Sequence, residues 1–108
     1  MDKTLSYLGL AKKSRHLIFG TDQVIKTLQS KNGQLIVLAK DASNGTKDKI
    51  IKKAFFYNVP VLDIYTSEEI SYATGHRNPI VSIIDDPGFA EAILKNQALD
   101  GKKVNYES

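Results

Sequence analysis

A chain of 108 residues without a cysteine has room for one ordinary core, and none for disulfides, thiol catalysis or thiolate zinc sites. With 42% hydrophobic and 25% charged residues it reads as a soluble globular domain, without a run of membrane-spanning length. Its net charge of +3 is uneven: residues 1–53 hold eleven Lys/Arg against four Asp/Glu, and residues 54–108 hold four against eight. One side of the fold is therefore expected to be basic and suited to a polyanion, unless the opposite charges mix once the chain folds.

Met1-Asp2-Lys3-Thr4 carries no apolar h-region, so a cytoplasmic protein with no membrane partner is expected. Thr4 to Lys13 predicts a first helix, with Leu5, Leu8 and Ala11 along one side. The basic cluster Lys12-Lys13-Ser14-Arg15-His16 and the apolar run Leu17-Ile18-Phe19 follow. Phe19-Gly20-Thr21-Asp22-Gln23-Val24-Ile25-Lys26 then reads as a glycine-opened turn into an amphipathic helix ending near Ser30. Val24, Ile25 and Leu28 would face a core. Asp22, Gln23 and Lys26, three and four apart, share the opposite stripe, beside a helix N-terminus whose free N–H groups attract phosphate. Taken alone, the octapeptide is better explained as an ordinary capped helix with a solvated face.

Asn32-Gly33 supplies a turn, and Leu35-Ile36-Val37-Leu38-Ala39 predicts a buried central strand. The turn-rich stretch Lys40 to Thr46 opens a helix running to about Tyr57, with Ile50, Ile51, Ala54 and Phe55 as its core stripe. Lys49, Lys52 and Lys53 lie away from that stripe, as a solvated face or as RNA contacts. Asn58-Val59-Pro60 stops the helix, and Val61 to Tyr65 predicts a second strand. Thr66 and Glu69 fit a capping box for a short helix closed by Gly75, which accounts for the glutamates without catalysis. Ile80 to Ile84 predicts another strand. Asp86 is expected to cap a last helix with Phe89, Ala92 and Ile93 inward. The tail 99–108 has little to bury and is expected to fray, leaving residues 1–98 as a single domain.

Strands alternating with helices across short loops imply an α/β domain with helices on both faces of a small sheet. No dinucleotide or Walker glycine pattern occurs; Gly20 stands alone. No Ser/His/Asp trio can be assembled with specificity, and His16 and His76 lack neighbours at metal-ligand spacing. The expectation is a binding protein without a catalytic site, metal or cofactor. The tyrosines and phenylalanines look scattered, with no stacking platform among them.

Three stretches together carry a family resemblance: Gly20 to Lys26; Leu35 to Ala42 with the Thr46–Tyr57 helix and Asn58 to Val61; and Gly75-His76-Arg77-Asn78-Pro79-Ile80-Val81-Ser82-Ile83. In this order and spacing the chain resembles the kink-turn-binding ribosomal protein family, called L-seven-Ae in archaea, and above all its small bacterial YlxQ-type branch. The resemblance implies a three-layer α/β/α sandwich with a four-stranded mixed sheet. It also implies a structured RNA partner, the kink-turn, whose tandem sheared G·A pairs lie beside a short bulge; ribosomal RNA is one candidate source. A ribonucleoprotein of translation, monomeric, is expected.

Carried residue by residue, the resemblance puts Gly20, Thr21, Asp22, Gln23 and Lys26 against the G·A bases. It puts Arg77, Asn78, Pro79, Ile80 and Val81 over the flipped bulge base. Lys26 can donate to guanine O6 and N7, and Gln23 can both donate and accept at an adenine or G·A edge. Asp22 departs from the pattern, standing where archaeal members commonly carry asparagine. It must pair with an amino group, cap the helix or weaken the contact. Lys12, Lys13, Arg15 and Lys40 are candidate phosphate contacts, which add salt-dependent affinity without specificity. The alternative is a protein-interaction module of the translation machinery on the same scaffold, without RNA readout. A third reading, a substrate-recognition domain of the sort attached to some RNA methyltransferases, finds no methyltransferase segment here.

Overall fold

The computed structural model describes residues 2–99, and the tail expected to fray lies outside the described residues from Asp100 onward. Helices and strands alternate: α1 (Lys3–Lys13), β1 (Leu17–Phe19), α2 (Thr21–Gln29), β2 (Leu35–Leu38), α3 (Asn44–Tyr57), β3 (Val61–Leu62), α4 (Ser67–Thr74), β4 (Val81–Ile84) and α5 (Pro87–Leu99). The strands form one sheet in the order β1-β4-β2-β3. The β2–α3–β3 crossover makes β2 and β3 parallel, whereas β4 runs antiparallel to both β1 and β2. The last strand in sequence is therefore an inner one.

Because side chains alternate along a strand, β2 feeds two cores. Leu35 and Val37 join Leu5 and Leu8 of α1, Ile70 of α4 and Ile93 of α5. Ile36 and Leu38 join Val24 and Leu28 of α2, Ile50 and Ala54 of α3, and Val81 and Ile83 of β4. All four β2 residues are buried, which is why the stretch reads as an apolar run and not as an alternation. The result is the expected three-layer α/β/α sandwich on a four-stranded mixed sheet.

Local signals place the helix ends. Asp2 accepts the Thr4 N–H at 2.8 Å, and its other carboxylate oxygen accepts the Tyr65 hydroxyl at 2.8 Å, tying the start of α1 to the chain after β3. The Thr66–Glu69 capping box forms, Gly75 closes α4 at φ 73°, and Asp86 accepts the Phe89 N–H at 2.9 Å. Asp41 holds the same end of α4 from outside. Its two oxygens accept the Ser67 N–H at 2.7 Å and the Ser67 hydroxyl at 2.6 Å. Those bonds, the hydroxyl's first, hold the Asp41 carboxyl below its ordinary value of 3.8. A depressed folded-state pKa contributes stability that is complete above 3.8 and is lost as pH falls through the lowered value. Asp41→Asn is thus expected to lower Tm at neutral pH, with the gap to the parent protein closing in acid; thermal melts across pH check this.

Several details differ from the sequence expectation. Ile51 and Phe55 are exposed, because α3 covers the sheet with the narrow stripe of Ile50 and Ala54 alone. In α5 the buried residues are Ala90, Ile93, Asn96 and Gln97; Phe89 packs against the same core while half-buried, and Ala92 is half-buried. The strand expected over Val61 to Tyr65 pairs only at Val61 and Leu62. Tyr65 is buried instead by packing in the core with Leu5, Leu8 and Ile70, its hydroxyl bonded to Asp2.

Candidate nucleic-acid interface

The inner position of β4 gathers three distant segments at one edge of the sheet. β1 ends at Phe19, paired with Ser82, and the next residue, Gly20, donates its N–H to the Val81 carbonyl at 2.9 Å. On the other side of β4, Ala39 donates to the Ile80 carbonyl at 2.9 Å, and Lys40 donates to the Tyr65 carbonyl at 2.9 Å. The first turn of α2, the loop ahead of β4 and the end of β2 are thereby neighbours. Two of the sequence-predicted patches, Gly20–Lys26 and Arg77–Val81, are brought together with Lys40 between strands.

Gly20 is the N-cap of α2 at φ 103° and ψ 140°, and no side chain caps the helix. A Cβ there would meet nothing within 4 Å, so the requirement for glycine is conformational, not spatial. The first-turn N–H groups remain turned outward with their share of the helix dipole. Asp22, Gln23 and Lys26 are exposed along the outer stripe, while Thr21 is half-buried; Val24 and Leu28 are buried beneath them and Ile25 only partly. Asp22 stands in the first turn, where its charge favours the helix but offsets the attraction for phosphate.

In the facing loop Arg77 and Asn78 are exposed, with Asn78 at φ 58°. Ile80 is half-buried. Pro79 and Val81 are buried, and Val81 packs in the α2–α3 core. Neither presents a free apolar face, since β4 has turned Val81 inward and Pro79 is buried ahead of it. Within this loop Ile80 is the apolar side chain left partly open, and Val81 contributes its carbonyl to Gly20.

A stacked pair of rings, which the sequence reading missed, joins the two patches. The Phe19 and His76 rings lie parallel, centroids 3.7 Å apart and 5° from coplanar. Each is adjacent to a glycine that marks its patch, Gly20 or Gly75, and that shared adjacency was the available signal. Lys12 and Lys13 line a recess of about 590 Å³ with Ala73 and Thr74, beside the helix end that leads into the Gly75 loop. Arg15 precedes β1, at the opposite end of the strand from Gly20, near the His16–Asp85 contact of 2.9 Å. The candidate phosphate contacts thus do not form one cluster. Among the described residues, no three His, Asp or Glu side chains gather as a metal ion would require, and no helix is long and apolar enough to cross a membrane.

The family model described as "Ribosomal protein L7Ae/L30e/S12e/Gadd45 family" matches residues 2–93. The chain belongs to this family. The RNA-binding protein YlxQ of Bacillus subtilis (strain 168) is 31% identical over 87 residues, covering 81% of this chain and 87% of that protein. The RNA-binding protein YlxQ of Enterococcus faecium is 30% identical over 89 residues, covering 82% of this chain and 85% of that protein. A solved structure from Bacillus halodurans, of a protein with unknown function, is similar at TM-score 0.85 and 32% identity. It covers 89% of this chain and 97% of that one. The family match spans α1 through β4, the elements that build this edge of the sheet.

Proposed function

We propose that this chain is a non-catalytic RNA-binding protein that recognises and stabilises a kink-turn, as a monomer, in the cytoplasm and in the service of translation. The observation that carries the reading is the Gly20–Val81 hydrogen bond, because it holds the outward first turn of α2 against the loop ahead of β4. In this reading Gln23 and Lys26 address the tandem G·A bases from α2. Ile80 covers the bulge base while Arg77 and Lys40 meet phosphate. An undistorted A-form major groove is too narrow for a helix, so the kink is what admits this edge. The names of the B. subtilis and E. faecium relatives support RNA as the ligand.

A gel-shift titration tests the reading. A kink-turn duplex is expected to bind far more tightly than the same duplex with its G·A pairs replaced by Watson–Crick pairs, at low and at moderate salt. Equal affinity for both would sink the proposal. Asp22 supplies a second check. Removing its charge from the first turn with Asp22→Asn is expected to tighten binding about two- to fivefold, the equivalent of about 0.3–1 kcal/mol for one charge at a helix end. Weaker binding by the variant would mean that the carboxylate accepts from a base amino group.

A further inference from the structure

At the C-terminal ends of α2 and α3, Leu28, Lys31, Gly33, Phe56, Tyr57 and Val59 line a groove of about 380 Å³. Leu28 and Val59 are buried and form its apolar floor, while Lys31 and Phe56 stand exposed. Phe56 is 77% exposed and its neighbour Phe55 62%, which is a large solvent exposure for two rings on one helix. The Tyr57 and Phe56 rings meet edge to face, centroids 4.9 Å apart at 83°. Lys49, Lys52 and Lys53 precede Phe56 by two turns or one on the same face of α3. Lys52 is engaged by Asp48 at 3.0 Å, and none of the groove's lining residues is acidic.

An outward aromatic face, an apolar floor and flanking ammonium groups form the combination on which unpaired nucleotides bind. The base stacks on the ring and the backbone meets the lysines. The rings alone would suit a protein partner as well, but the flanking lysines, a residue depleted from protein–protein interfaces, favour the nucleotide. We propose that this groove is a second RNA contact for unpaired nucleotides, with Phe56 as the stacking platform and Lys31, Lys49 and Lys53 meeting phosphate. It lies at the far end of α2 from Gly20, along nine residues of helix or about 13 Å, so both ends can engage one RNA whose single-stranded flank runs past the folded part. The inference rests on the reading above only in taking RNA as the ligand, and not on the kink-turn.

The test is a titration of the isotope-labelled full chain with a short oligouridylate, followed by amide chemical shifts. Shifts are expected at Lys31, Phe56 and Tyr57. Phe56→Ala is expected to weaken the oligonucleotide about fivefold or more, and Phe56→Tyr to retain it. Both variants should bind a blunt-ended kink-turn duplex as the parent protein does, because the ring is exposed and far from Gly20. No shifts, or shifts confined to the first turn of α2 and the Ile80 loop, overturn the inference. So does a response at these residues to an acidic peptide but not to the oligonucleotide, which would make the groove a protein dock. Oligonucleotide shifts in the groove without any kink-turn binding would sustain the second contact and remove the kink-turn reading alone.

Discussion

Lys26→Ala is expected to weaken binding to a blunt-ended kink-turn duplex about tenfold or more, while Lys52→Ala changes it less than about twofold. A donor that reaches a base edge carries about 1–3 kcal/mol of discrimination, and Lys26 shares the exposed outer stripe of α2 with Gln23. Lys52 lies on α3 and is occupied by Asp48 at 3.0 Å, an exposed pair of the kind that contributes little. The two effects also differ in kind. Losing a base contact narrows the gap between the kink-turn and its Watson–Crick counterpart, whereas losing a phosphate contact lowers both affinities together and flattens their salt dependence. Lys40→Ala is the variant expected to show the second pattern. Anisotropy titrations of both duplexes at two salt concentrations separate the cases, and equal losses for Lys26→Ala and Lys52→Ala would remove the α2 edge as the reading surface.

What the amino-acid order discloses about this site divides along physical lines. The first turn of α2 was legible because a lone glycine before a mixed polar stripe is a local pattern, and its exposed Asp22, Gln23 and Lys26 follow from helical spacing alone. The caps at Asp86 and Thr66 were legible for the same reason. Adjacency across the sheet was not. Nothing near Gly20 announces Val81 as its partner, because that bond exists only once β4 lies beside β1. The Phe19–His76 stack depends on the same placement. Burial of Val81 was hard to judge because a residue at a strand's first position can serve loop or core with the same side chain. Ile51 and Phe55 misled in the opposite direction: helical spacing marks which residues share a face, not how wide a face the sheet can cover.

Gly9→Val is expected to lower stability markedly. A Cβ built on Gly9 would sit 2.7 Å from the Ala73 carbonyl oxygen, a backbone atom of α4 that has no rotamer by which to move aside. α1 and α4 must therefore separate to admit any side chain, which disturbs the packing of Leu8 and Ile70 against the sheet. Overpacking of this kind costs about 1–3 kcal/mol, or roughly 5–20 °C in Tm for a domain of this size. Because α4 leads directly into Gly75 and His76, its displacement is also expected to weaken RNA binding by the molecules that remain folded. Calorimetry and the duplex titration, made on the same preparation, check both effects. An unchanged Tm would show that the two helices do not approach this closely.

The inner place of the last strand governs when this molecule can work at all. Until residues 81–84 are available, β1 and β2 have no shared neighbour, since neither pairs with the other and each pairs with β4. The chain must therefore close long loops before β1 and the β2–β3 pair share one sheet, a topology that delays folding and makes it cooperative. The same closing step sets Ile80 beside Gly20. A nascent or partly opened chain consequently lacks the joined edge proposed to meet RNA, and on that proposal grip on RNA would report completion of the fold.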